Sequence, residues 1–182
     1  MNMRFPAKFV ALSLGILAAT AQSAEPQNEP QTVAQVDIPR YMGTWYEQVR
    51  LPMRFQDGCV SDVKAQYRLT EKQVVKITNS CRKKDGSMIS ADAEVKKVDE
   101  NGSKLRISFL PKAINWVPVA RSSYWILRLD DNYQTALVGT PNRKYLWVLS
   151  REPKLDEATL QSYIETAKQQ GYDVSKLVRS VQ

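Results

Sequence analysis

Tyr41-Met42-Gly43-Thr44-Trp45-Tyr46-Glu47 is the stretch on which the reading of the fold turns. A glycine two residues before a tryptophan marks a close backbone turn that feeds directly into an extended segment. From Thr44 to about Leu51 the character of the side chains alternates, which places Trp45, Glu47 and Val49 on one face. Trp45 is the largest apolar side chain available and takes the first inward position of that strand. It is therefore expected to plug one end of the structure that the strand helps to enclose.

Outward from this stretch, the same period of two recurs. Val63, Ala65, Tyr67 and Leu69 alternate with Lys64, Gln66 and Arg68, and Val75, Ile77, Asn79 and Cys81 follow after a turn at 70–72. Ala91, Ala93 and Val95, then Leu105, Ile107 and Phe109, repeat the pattern beyond turns at Asp85-Gly86 and Asp99-Glu100-Asn101-Gly102. After a longer connection, segments 123–129, 135–139 and 145–151 complete eight predicted strands joined by short turns. That is the pattern of an all-β, eight-stranded antiparallel up-and-down β-barrel. Tyr124-Trp125-Ile126-Leu127 and Tyr145-Leu146-Trp147-Val148-Leu149 are apolar on both faces and need cover from outside. Leu160, Tyr163, Ile164 and Ala167 form a helical stripe between an N-cap at Asp156 and Gly171, so a C-terminal α-helix is expected to supply that cover.

In an even-stranded meander the connections alternate between ends. Taking the Trp45 end as the floor, Arg151 finishes the last strand there, within reach of the indole; Gly43, Trp45 and Arg151 are the expected structural group. Cys59 and Cys81 fall near the opposite end, the mouth, on adjacent strands. The mouth connections hold Lys83, Lys84, Arg121 and Arg143, whereas the floor turns hold Glu71, Asp99, Glu100, Asp130 and Asp131.

Ahead of the barrel, Arg4 and Lys8 precede an apolar run from Phe9 to Ala19, the layout of a secretory signal peptide over residues 1–24. Residues 25–36 are polar and Pro-containing and are expected to form a flexible tether, with the folded domain spanning 37–182. The leader holds two cations and no acid, so its removal lowers the formal charge from +7 to +5. That excess suits anionic ligands or surfaces but gives no argument for nucleic acid. Two cysteines in an exported chain predict one disulfide, Cys59–Cys81, which is worth about 3 kcal/mol by loop-closure entropy. No cysteine directly follows the apolar run, so a periplasmic product without a lipid anchor is expected.

Gly43-Thr44-Trp45-Tyr46-Glu47, Asp130-Asp131-Asn132-Tyr133 and Tyr145-Leu146-Trp147-Val148-Leu149-Ser150-Arg151 resemble the three signature regions of the lipocalin family, in its bacterial branch. The resemblance runs over about residues 37–175 in the right order and spacing. It implies a calycin barrel that binds a hydrophobic ligand.

The chemistry present agrees with binding rather than catalysis. There is no histidine, which removes Ser-His-Asp and Cys-His catalysis and His-based metal sites. No cofactor, metal or catalytic residue is expected. The inward set Val63, Ala65, Tyr67, Val75, Ile77, Ala93, Val95, Leu105, Ile107 and Phe109 forms either a self-filled core or a cavity, and its small members favour a cavity. Glu47 is expected to be a satisfied structural group near the floor. Trp116, in the long mouth loop, reads as a lid, as a foot touching a membrane or partner, or as a side chain tucked against strand ends.

The expected function is binding, storage or transport of an amphiphile such as a fatty acid or lysophospholipid, by a monomer or homodimer. The headgroup would meet Lys83, Lys84, Arg121 and Arg143. Two rivals belong to other classes: an interaction protein that binds a macromolecule or membrane surface through its mouth loops, and a lipid-modifying enzyme.

Overall fold

The computed structural model describes residues 29–109 and 121–182; the leader and Trp116 lie outside the described residues. Strands β1 (Gly43–Arg50), β2 (Cys59–Leu69), β3 (Val75–Lys83), β4 (Met88–Lys97), β5 (Lys104–Ser108), β6 (Arg121–Leu129), β7 (Thr135–Gly139) and β8 (Leu146–Ser150) pair antiparallel in chain order. Because β1 pairs with both β2 and β8, the sheet closes into an eight-stranded barrel with no free edge between its first and last strands. Helix α1 (Ile38–Tyr41) enters at the floor, and helix α2 (Glu157–Gln169) lies outside. The side chain of Asp156 caps α2 by accepting from the backbone N–H of Thr159 at 2.9 Å.

Burial divides the apolar residues into two clusters separated by the sheet. Inside are Trp45, Tyr67, Ile77, Val95, Leu105, Ile126, Val138 and their neighbours. Outside, beneath α2, lie Val49, Trp125, Leu127, Leu137, Leu146 and Val148, packed on Leu160, Tyr163 and Ala167 of the helix. Strands β6, β7 and β8 thus need both faces apolar, which explains their uninterrupted hydrophobic runs.

Three features depart from the sequence expectation. First, β1 does not alternate to its end. A bulge between Glu47 and Val49 shifts its register against β8, so Val49 turns outward into the helix-side cluster and Arg50 turns inward opposite Trp147. One extra residue reverses the facing of all that follow it. Gln48 holds the bulge open: its side-chain amide donates to Ser150 Oγ at 2.8 Å, and its carbonyl oxygen accepts from the N–H of Leu155 at 3.2 Å.

Second, a short ninth strand β9 (Val178–Arg179) pairs with Val49 and Arg50 of β1. It fills the edge beyond Tyr46, where β1 and β2 part company. Gln182 bridges that gap by donating to the carbonyls of both Glu47, at 2.6 Å, and Val63, at 3.0 Å. Third, residues 29–36 are no loose tether. The backbone N–H groups of Val33 and Val36 donate to Ile126 O and Asn101 O, both at 2.9 Å, and Val36 is buried. Val36 joins the inner cluster and Val33 packs against it, while Gln31 N–H donates to Gln170 Oε1 at 2.8 Å and Thr32 accepts from Ser103 Oγ at 3.1 Å.

Candidate functional site

The floor is built around Trp45. Its indole N–H donates to Tyr41 O at 2.9 Å, Tyr41 stacks on it at 4.8 Å, and the Arg151 guanidinium lies 3.9 Å from its ring centroid. Arg151 also donates to the carbonyls of Arg40, Thr44 and Tyr133 at 2.9, 3.0 and 3.1 Å. One planar cation therefore ties α1, β1 and the β6–β7 turn together, a cation–π contact worth about 1–2 kcal/mol when desolvated. Gly43 makes the approach possible. Its φ of +103° lies where other residues are strained, and a Cβ there would stand 3.0 Å from Arg151 Nη1.

Above the floor, three buried tyrosines share their hydroxyls. Tyr67 donates to Tyr124 at 2.8 Å, and Tyr124 meets Tyr41 at 2.8 Å. Burial pushes all three hydroxyls well above the usual phenol range, so they stay neutral and act as hydrogen-bonding groups.

Beside this network lies a cavity of about 860 Å³. Its apolar wall comes from Ile38, Met42, Leu69, Val75, Val95 and Leu105, its aromatic edge from Tyr41 and Tyr67, and its rim from Gln73, Lys96 and Lys97. It occupies the β2–β5 side of the barrel towards the floor, beside α1, whose Ile38, Pro39 and Tyr41 line it. The expected opening was at the mouth. Of the ten inward residues expected to contact a ligand, Tyr67, Val75, Val95 and Leu105 line this cavity. Val63, Ile77, Ala93 and Ile107 are buried without lining it, and Ala65 is half-buried. Phe109 stands past the end of β5 and is 43% exposed, so strand parity does not carry it inward. Sequence reasoning missed Ile38, Met42 and Lys97. For Lys97 the signal was available, since it continues the inward series Ala93, Val95.

At the mouth, the Cys59–Cys81 disulfide joins the start of β2 to the end of β3 with a Cα separation of 5.6 Å. The expected cations do not converge there. Lys83 faces Asp85 at 3.6 Å, and Lys84 is exposed. The side chain of Arg121 lies outside the described residues. Arg143 turns away altogether: it sits in the β7–β8 turn and donates through Nε to Gln170 O at 2.7 Å, capping the C-terminus of α2. Nor is the charge cleanly polarised, because Arg40, Lys96 and Lys97 stand at the floor.

Glu47, expected near the floor, sits instead where β1 and β2 separate. Its carboxylate accepts from Ser180 and from Gln56 Nε2 at 3.1 Å, and Arg50 Nε approaches it at 3.3 Å. Burial raises its pKa, while Ser180, Gln56 and Arg50 act in the opposite direction. Gln56 comes from a 3-10 turn, Arg54–Gln56, that folds over the barrel from the β1–β2 connection.

Comparison with known proteins accords with this geometry. Residues 36–182 match the family model of the lipocalin-like domain. Temperature-induced lipocalin-1 of Arabidopsis thaliana is 36% identical over 163 residues, covering 86% of this chain and 84% of that protein. Outer membrane lipoprotein Blc of Escherichia coli is 30% identical over 176 residues, covering 97% and 96%. Among solved structures, insecticyanin from the tobacco hornworm Manduca sexta superposes with a TM-score of 0.64 at 16% identity, over 85% of this chain and 84% of its own.

Proposed function

The chain belongs to the lipocalin family, whose members generally bind small hydrophobic ligands without acting as enzymes, and from that premise we propose that it binds and carries a fatty acid or lysophospholipid in the cell envelope. The observation that supports this reading is the cavity of about 860 Å³ with its mostly aliphatic wall. Its volume lies within the roughly 300–1,000 Å³ of small-molecule sites. Each methylene moved from water into such a wall contributes about 0.8 kcal/mol. Bacterial relatives described as outer membrane lipoproteins favour an envelope location, and a periplasmic product of signal cleavage is the form we propose. A thiol nucleophile is not available for a lipid-modifying reaction, because Cys59 and Cys81 are bonded to each other.

Titration of the delipidated protein with a fluorescent fatty acid tests the proposal. Saturable binding at micromolar concentration is expected, and native mass spectrometry of protein from its own cell should then report a ligand mass. Absence of binding by both measurements would sink it.

A second reading draws on the mouth rim. Val60, Met88, Ile89 and Phe109 are each at least 40% exposed and stand at the mouth ends of β2, β4 and β5, next to Lys83 and Lys84. Apolar side chains beside cations suit shallow contact with an anionic bilayer. Co-flotation with vesicles containing anionic lipid, but not with purely zwitterionic vesicles, is the expected result.

A further inference from the structure

Beyond the pair Val75–Val95, strands β3 and β4 part at the floor. On one side the chain folds back on itself as the β2–β3 turn. There Thr70 N–H donates to Val74 O and Gln73 N–H to Thr70 O, both at 2.9 Å, and Val74 N–H donates to Thr70 Oγ1 at 3.0 Å. On the other side β4 runs on with β5, pairing Lys96 with Arg106 and Lys97 with Leu105. Each side satisfies its own backbone. Among the described residues no hydrogen bond joins Gln73 or Val74 to Lys96 or Lys97. The result is a notch in the barrel wall that stands open without any ladder bond being broken.

The cavity reaches that notch. Gln73, Val74, Lys96 and Lys97 line it from the two lips, and Val75, Val95 and Leu105 line it further in. Around it Ile38, Met42, Leu69, Val74 and Val75 are only half-buried, an apolar surface that the chain itself leaves partly uncovered. The polar groups stand at the lips. Lys97 continues the inward series Ala93, Val95, and its Nζ donates to the carbonyl oxygen of Glu100 at 2.9 Å. Neither Lys96 nor Lys97 is held in an ion pair among the described residues. Glu94 also lines the cavity, but by alternation with the buried Ala93 and Val95 it belongs to the outer face of β4, opposite Lys76.

We propose that the anionic head of the ligand sits in this notch, met by Lys97 and the Gln73 amide with Lys96 on the outer lip, while the tail runs inward past Val75, Val95 and Leu105. The inference rests on the reading that the barrel holds an amphiphile, and it names the class: a single-chain lipid whose head is a compact anion, carboxylate or phosphate. It also fixes the orientation. The head lies at the Trp45 end, opposite the disulfide, so the lipid enters tail first through the floor. An ammonium on a water-exposed lip attracts the anion while both keep much of their hydration, so selectivity for charge is modest and sensitive to salt.

Stearates carrying a nitroxide near the head (5-doxylstearate) or near the tail end (16-doxylstearate), added to the delipidated, isotope-labelled full chain, locate the two ends by NMR. The 5-doxyl probe should broaden the amide signals of Gln73, Lys96 and Lys97 more than the 16-doxyl probe does. Stronger broadening by the 5-doxyl probe at Cys59 and Lys83 instead would overturn the inference. Palmitate, hexadecyl phosphate and 1-hexadecanol, which share one tail, then test the lips. Wild-type protein should prefer both anions to the alcohol, by a margin that shrinks as salt is added. The double variant Lys96→Gln/Lys97→Gln changes two exposed side chains, so the fold should stand, and it should reduce that preference about fivefold. Gln73→Leu should reduce it about threefold. If the double variant keeps the wild-type preference, or wild-type protein binds all three probes equally, this inference is wrong and the amphiphile reading stands. If wild-type protein binds none of the three, the amphiphile reading itself falls and takes this inference with it.

Discussion

The two halves of the barrel wall are covered to different degrees. In β7 all five residues are buried, since the inner cluster lies on one face and α2 on the other. In β4 only Ala93 and Val95 are buried among ten residues, since its outer face meets water and its mouth half stands open. The cavity belongs to the singly covered half, with Leu69, Val75, Val95 and Leu105 on its wall. Coverage from outside fixes the position of the wall and lets inner side chains close-pack against it, whereas a wall free on one side retains room for a guest. One sheet thus divides its labour, with the β6–β8 side holding the fold and the β2–β5 side holding the cavity.

The largest test of this contrast compares two leucines. Leu137→Ala, on the doubly covered wall and fully buried, should cost about 3–4 kcal/mol, read as a shift in denaturant midpoint. Leu69→Ala, half-buried against the cavity, should cost about 1 kcal/mol or less while changing ligand affinity. Equal costs would break the comparison. Next, replacing both cysteines with alanine releases a crosslink over a sequence separation of 22 and should lower stability by about 3 kcal/mol. Because the disulfide lies in the singly covered half, hydrogen exchange should accelerate in β2 and β3 more than in β7.

Smaller is Arg143→Ala, expected to cost about 1 kcal/mol through the C-terminus of α2 and to leave fatty-acid affinity unchanged. A loss of affinity without a loss of stability would return Arg143 to the ligand site. Last comes a pH dependence at Glu47. Burial raises its folded pKa above the ordinary value of 4.5, so in the interval above 4.5 the folded state binds more protons than the unfolded chain. Its contribution to stability is therefore fully present below that interval and declines as pH rises through the folded pKa. Chemical denaturation of wild type and Glu47→Gln across pH 4–8 should show that decline in wild type alone.

The barrel, its strand order and its outer helix were legible in the sequence because each rests on period and on turn residues, which are local. The floor was legible for a related reason: Gly43, Trp45 and Arg151 are chemically distinctive. The mouth was not. Strict alternation from Trp45 puts Val49 inside and Arg50 outside, and the bulge at Gln48 reverses both. What holds that bulge is Ser150 and Leu155, about a hundred residues away, so no local pattern announces it. Arg143 misled in a comparable way, since a turn between two strands gives no hint that a helix end lies within reach. β9 is too short to have a period. The cavity's position rests on where α1 docks, since Ile38, Pro39 and Tyr41 line it, and that is a matter of tertiary packing.

The seam at β1 bears on how the chain assembles. Among the eight barrel strands, β1 is the earliest in sequence, yet its partners arrive late: Ser150 pairs with Tyr46, Val178 with Arg50, and Gln182 reaches Glu47 across 135 positions. During synthesis the first strand must wait, with one edge unsatisfied, until nearly all of the domain has emerged. Contacts so distant in sequence slow the final closure and prolong the time during which an open sheet is vulnerable to other chains. The residues that complete the seam are thus the timekeepers of folding, and a chain truncated before Val178 should still close through β8 but leave the edge of β1 beyond Tyr46 uncovered.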